Sequence, residues 1–102
     1  MGTLERAQIE RLKVRLLASV SCDLPILEDM RLVTTIEVDP LSGEEIEEYP
    51  VRIYVAHDPC HDMDGEKRDR NTVVAFDPQG GYFILGRELP LEQALQIAKG
   101  EV

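Results

Sequence analysis

Apolar residues recur at helical spacing near the start of the chain. They lie three or four positions apart, with charged side chains between them, at Ile9, Leu12, Leu16 and Val20. Thr3 has a side-chain oxygen that can cap the first turn. The segment around Leu16 also alternates as a strand would, but its length and charged face favour a helix over residues 3–18.

The pattern then changes to the period of a strand. A short helical turn is predicted first, over residues 28–31, with Asp23 as its possible cap. β-Branched and apolar residues then alternate through residues 32–38 and again through residues 51–56. The intervening Asp-Pro-Leu-Ser-Gly run, residues 39–43, supplies turn chemistry. These two strands are therefore predicted to form a hairpin.

The last third of the chain predicts a second hairpin and a short helix. Residues 72–76 and 82–85 are apolar and flank a turn that contains one proline and two glycines. Pro90 suits the first turn of a helix and Gly100 its end, with apolar positions at helical spacing between them. A helix of about ten residues is marginal alone in water, so it must pack on the sheet.

This order of elements predicts an α+β fold. We expect one domain over residues 1–102, since typical domains have roughly 100–150 residues. Its sheet would be an antiparallel four-stranded meander of two hairpins, with an N-terminal helix and a short C-terminal helix packed on one face. Such a sheet leaves an edge or a face available to a partner, and an edge can also pair with a second copy, although nothing in the sequence selects a homodimer.

Charge and hydropathy narrow the function classes. The net charge of −9, from 20 acidic and 11 basic residues, disfavours direct binding to nucleic acid, which relies on Lys and Arg. No apolar run reaches the roughly 18–20 residues that cross a bilayer. Charge comes too early in the chain for a signal peptide, so we expect a cytoplasmic protein with free cysteines and no membrane contact.

Residues 57–64 are the strongest candidate for a chemical site. This segment holds both histidines of the chain and one of its two cysteines, directly after a predicted strand. Imidazole, thiolate and carboxylate groups bind zinc and similar transition metals. We therefore consider a metal site made by His57, Cys60 and His61, which Asp62, Asp64 or the distant Cys22 would complete. Zinc-finger spacing is absent, and the competing interpretation is a polar connection whose aspartates satisfy backbone donors.

Two other chemistries fit this segment poorly. An EF-hand alignment that places Gly65 at its glycine position puts Cys60 and Asn71 where calcium needs carboxylates. A Cys60 nucleophile with His57 as its base lacks any accompanying protease signature. We make no catalytic assignment, and the balance favours a protein that is not an enzyme and needs no cofactor.

Acidic residues are concentrated in the first predicted hairpin. Residues 33–50 contain no lysine or arginine but six acidic residues. We predict that four of these bind a basic surface on another protein: Glu44, Glu45, Glu47 and Glu48. Charge along a strand also protects its edge from aggregation.

Three functional hypotheses follow from these features. The first is an acidic protein-interaction module, which would be a regulatory or accessory protein. The second is a metal-binding protein or small metal-dependent enzyme that uses residues 57–64. The third is an acidic mimic of nucleic acid that inhibits a protein which binds nucleic acid.

Overall fold

The elements follow one another in the predicted order. A computed structural model of the protein describes residues 5–19, 23–37 and 50–102. The elements are α1 (Arg6–Ala18), β1 (Glu28–Ile36), β2 (Val51–His57), a 3-10 turn (Pro59–His61), β3 (Asn71–Phe76), β4 (Tyr82–Leu89) and α2 (Leu91–Ala98). Neither of the two α-helices in this part of the chain is long and apolar enough to cross a membrane.

The four strands form one open antiparallel sheet. Their order is β1-β2-β3-β4, so each strand pairs with its neighbour in sequence. This confirms the predicted α+β meander of two hairpins. Strands β1 and β4 are its edges.

The core lies between the sheet and the two helices. Helix α2 packs across all four strands, and α1 contacts β4. Alternate residues of the central strands face this layer, and α1 contributes the fully buried Leu12. The Thr34 hydroxyl donates a hydrogen bond to the carbonyl of Ala98 at 2.7 Å, which ties strand β1 to the end of α2.

A second, smaller apolar layer lies on the other face of the sheet. Tyr54 pairs in register with Leu32 on one side and with Val74 on the other. The Tyr54 and Phe76 rings meet edge to face, with centroids 5.7 Å apart. Val74 is fully buried although it lies outside the main core cluster. The side chains of neighbouring strands therefore bury one another on this face.

The start of β1 differs from the prediction. The prediction of a helical turn over residues 28–31 is wrong, because this segment is already strand and pairs with β2. Glu28 lies opposite His57, and Arg31 lies opposite Val55. Pairing with a neighbouring strand overrides the local preference. The pairing is irregular, and Asp29 takes a positive φ of 52°. Such a bulge bends the strand and interrupts its edge.

Two further boundaries are displaced by a few residues. Helix α1 begins after Glu5, whose backbone N–H donates to the Gln8 side chain at 2.8 Å, while the predicted cap Thr3 lies outside the described residues. Strand β4 continues to Leu89 rather than ending at Leu85. A register shift opposite Val73 lets this strand bend and continue toward α2.

Candidate functional site

The site is built at the end of β2, where three strands bring their terminal residues into one row. His57 is the last residue of β2, and its register partners are Glu28, the first residue of β1, and Asn71, the first residue of β3. His57 is only 8% exposed. The position of its ring is therefore set by the packed end of the sheet.

The loop after β2 folds back so that Asp62 meets His57. Asp58, which is buried, caps the 3-10 turn by accepting a hydrogen bond from the Cys60 backbone N–H at 3.2 Å. The Asp58 N–H itself donates to the carbonyl of Arg70 at 2.9 Å, and the Asp62 N–H donates to that of Pro59 at 3.0 Å. One tight turn thus reverses the chain, as expected where Pro fixes φ and Asp accepts from the backbone.

Asp62 holds the imidazole of His57 with both carboxylate oxygens. The His57 Nε2 lies 2.8 Å from Oδ1 and 2.9 Å from Oδ2. Because an ionised carboxylate only accepts hydrogen bonds, the proton is on Nε2. The backbone N–H of Arg68 also donates to Oδ1 at 2.9 Å. The bond from His57, and after it the bond from Arg68, lowers the pKa of Asp62 below its ordinary value of 3.8.

The second half of the loop is fastened to β1. The Lys67 ammonium lies 2.6 Å from an oxygen of Asp29, and both side chains are 62% exposed. This contact lowers the pKa of Asp29 and raises that of Lys67. An ion pair so open to water adds little stability. It nevertheless places the loop alongside the first residues of β1.

Glu28 completes a group of three possible metal ligands. Ligand atoms of Glu28, His57 and Asp62 all lie within 4.8 Å of one another. The three residues come from β1, from β2 and from the loop. This group was not predicted, because Glu28 is distant in sequence and only the β1–β2 register places it opposite His57.

The predicted metal ligands have different positions. His57 belongs to the group, but Cys60 does not and is exposed. A hydrogen bond with Asp58 raises the pKa of the Cys60 thiol, which opposes both metal binding and nucleophilic attack by its thiolate. His61 lies in the 3-10 turn, and its side chain is outside the described part of the structure. The site of His57, Cys60 and His61 therefore stays a prediction.

The predicted acidic surface is not described either. Residues 38–49, and with them Glu44, Glu45, Glu47 and Glu48, lie outside the described residues, as does Cys22. Their role in partner binding also remains a prediction.

Large apolar side chains are exposed close to the site. Four of them lie in and just before β1: Leu24 is 40% exposed, Ile26 83%, Met30 44% and Leu32 53%. The later residues of the same strand, Thr34 and Ile36, are buried. Half of the large apolar side chains that are exposed in the described part of the chain therefore lie in the segment that leads into the sheet and in the first half of its edge strand. The others are Val14 and Leu17 on α1, Met63 in the loop, and Val102.

Replacing Asp62 tests the electrostatics of the loop. In Asp62→Asn the bond from His57 loses its charged acceptor, so we expect lower stability at neutral pH. Since the folded-state pKa of Asp62 is lowered, its contribution is present above its ordinary value of 3.8 and is lost as pH falls through the lowered value. Urea unfolding at pH 7 and pH 3 should show the difference from wild type shrinking at low pH. Asp64→Asn controls for the loss of one carboxylate, and an equal difference at both pH values would contradict this account.

Comparisons with known proteins add no family to this description. The chain matches no protein-family model, no curated protein and no solved structure.

Proposed function

We propose that this protein is an interaction module without catalytic activity, which binds a partner protein through the start of strand β1. The binding surface, here called the β1 surface, is the apolar part of residues 24–32. The observation that supports it is the exposure of Leu24, Ile26, Met30 and Leu32, between 40% and 83%, within one short segment. Apolar side chains clustered on a surface mark sites where another molecule binds, whereas scattered ones do not.

The partner binds this surface through side chains rather than by adding a strand. Regular strand addition needs an even row of backbone donors and acceptors along an edge. In β1 that row is broken by two register shifts and by the positive φ of Asp29. Irregularities of this kind block edge-to-edge pairing. A partner would therefore contact this edge through its apolar side chains.

Charge favours a basic partner over a second copy of this chain. The whole chain carries a net charge of −9, and the acidic residues of the first hairpin follow β1 directly in sequence. Two copies would bring like charges together, which disfavours association. A partner with an apolar segment flanked by lysine and arginine would be steered toward the β1 surface instead.

The double variant Ile26→Ser/Leu32→Ser tests this proposal. We expect it to weaken the complex about tenfold or more, since burying one such side chain contributes roughly 1.5–3 kcal/mol and 1.4 kcal/mol is tenfold in affinity. The measurement is quantitative capture of partners from host-cell extract, with each captured protein identified and its affinity then measured with purified components. Leu17→Ser is the matched control, because Leu17 is 78% exposed but lies on α1.

The same assay tests the predicted acidic residues. Reversing the charge of Glu44, Glu45, Glu47 and Glu48 to lysine should reduce capture of the same protein at low salt, and the reduction should fade at high salt. If capture is unchanged in both the apolar and the charge-reversed variants, the interaction proposal is wrong. If sedimentation shows a wild-type dimer that the double variant dissociates, the occupant is a second copy rather than a basic partner.

A further inference from the structure

We propose that Glu28, His57 and Asp62 bind a divalent transition metal ion of the zinc class. This site is independent of the interaction proposed above, because it uses none of the apolar side chains of the β1 surface. Its ligands are one imidazole nitrogen and two carboxylate oxygens, with ligand atoms within 4.8 Å of one another.

The chemistry of the donor set indicates the class of ion. Zinc and neighbouring transition metals accept mixed nitrogen and oxygen ligands, and they bind imidazole well. Calcium and magnesium prefer oxygen ligands alone and need six or more of them. The two carboxylates offset the charge of a divalent ion. Three protein ligands leave one position of a tetrahedral site for water.

The spacing of His57 and Asp62 is already close to that of two metal ligands. The His57 Nε2 is almost equidistant from both Asp62 oxygens, at 2.8 and 2.9 Å, so it faces the middle of the carboxylate. In a tetrahedral site with bonds of about 2.0–2.1 Å, ligand atoms are roughly 3.4 Å apart. Asp62 would therefore move outward by about half an ångström. Glu28 is exposed at the first position of β1, so its side chain has room to close on the ion.

Binding requires a change of tautomer at His57. Nε2 now carries the proton that it donates to Asp62, so that proton must leave while Nδ1 takes one up, and the neutral ring then binds the ion through the Nε2 lone pair. The backbone N–H of Arg68 remains on Asp62 and orients that carboxylate, as supporting groups around metal ligands commonly do. The charge of the Lys67 ammonium also lowers the pKa of Asp62, and this ammonium forms an ion pair with Asp29 at 2.6 Å.

Titration of tag-free protein with zinc tests the site. Calorimetry should show one ion bound per chain. Glu28→Gln and Asp62→Asn should each weaken binding about tenfold or more, as expected when a ligand or its support is removed. Glu66→Gln and Asp64→Asn, which remove carboxylates of the same loop outside the group, should leave zinc affinity unchanged.

Two further variants separate this site from the ligand set predicted from sequence. Cys60→Ser and His61→Asn should retain zinc affinity, and the cobalt complex should show no thiolate charge-transfer band. Loss of binding in these two variants, or a cobalt–thiolate band, would assign the ion to Cys60 and His61 and overturn the proposal. It would also be overturned if wild-type protein binds no zinc, or if Glu28→Gln binds zinc as well as wild type does. Either result leaves partner capture by the β1 surface as a separate question.

Discussion

Leu12→Ala is expected to lower the free energy of unfolding by about 3 kcal/mol, within the range of roughly 2–5 kcal/mol for buried leucines. Leu12 is the only buried residue of α1, and its side chain is fully buried. It therefore anchors the helix to the core between the sheet and the helices. Alanine would leave a cavity that α1, which contacts the sheet mainly through β4, could close only in part. Urea denaturation monitored by circular dichroism gives the value.

The control for this prediction lies on the same helix. Leu17 is 78% exposed, so Leu17→Ala makes the same chemical change outside the core. Its expected effect is within about 0.5 kcal/mol, as for most surface substitutions. If the two variants lose similar stability, α1 does not pack through Leu12 as described here.

Gly100→Ala is expected to lower the free energy of unfolding by a comparable amount, about 3 kcal/mol or more. The loss has two causes, because alanine would strain the backbone and would also overpack its surroundings. Gly100 ends α2 with a φ of 72°. The Gly100 N–H donates a hydrogen bond to the Ile97 carbonyl at 3.0 Å, and the Glu101 N–H donates one to the Gln96 carbonyl at 2.9 Å. These two bonds together form a Schellman motif. A Cβ here would lie 2.4 Å from the Gln8 carbonyl oxygen, which is helix backbone and cannot rotate away.

Gly80→Ala separates the two causes of this effect. Gly80 has a similar φ of 87°, but an added Cβ would meet nothing within 4 Å. Alanine there should cost only the left-handed backbone conformation, roughly 1–2 kcal/mol. Thermal and urea unfolding of both variants give the comparison. Equal losses would show that the close approach between Gly100 and α1 contributes nothing.

Local patterns were enough to predict most of the fold. Helix α2 follows Pro90 and ends before Gly100, as its sequence signals indicate, and the alternation of Val51, Ile53 and Val55 marks the buried side of β2. Both hairpins follow from turn residues placed between alternating segments. These features depend on neighbours in sequence, so a single sequence contains the information for them.

The features that local patterns missed depend on contacts between distant segments. Glu28 is in a strand because it pairs with β2, and the same pairing places it beside His57. Asp69 shows a similar effect in the loop, since its carboxylate accepts from the Leu91 N–H at 2.9 Å and from the Asn71 side chain at 3.0 Å. It thus binds the first N–H of α2 from far away in sequence. No periodicity in the chain marks such a contact.

The loop itself combines two of the sequence interpretations. As a polar connection, it satisfies backbone donors with aspartates, since Asp58 accepts from Cys60 and Asp62 accepts from Arg68. The same turn brings Asp62 to His57, which is the basis of the metal site proposed here. The crowding of His, Cys and Asp in sequence indicated this loop as a candidate. The ligand set proposed from geometry keeps His57, and it keeps Asp62 as one of the residues considered to complete the predicted site. It has Glu28 in place of Cys60 and His61.

Amide hydrogen exchange of the protein, alone and bound to the partner it captures, tests the β1 surface most directly. If a partner covers this surface, amides of residues 24–32 should exchange more slowly in the complex, because the early part of β1 is exposed in the isolated chain. Amides on the exposed side of α1, around Leu17, should keep the same exchange rate in both states. Slowed exchange in α1 with no change over residues 24–32 would contradict the proposed function.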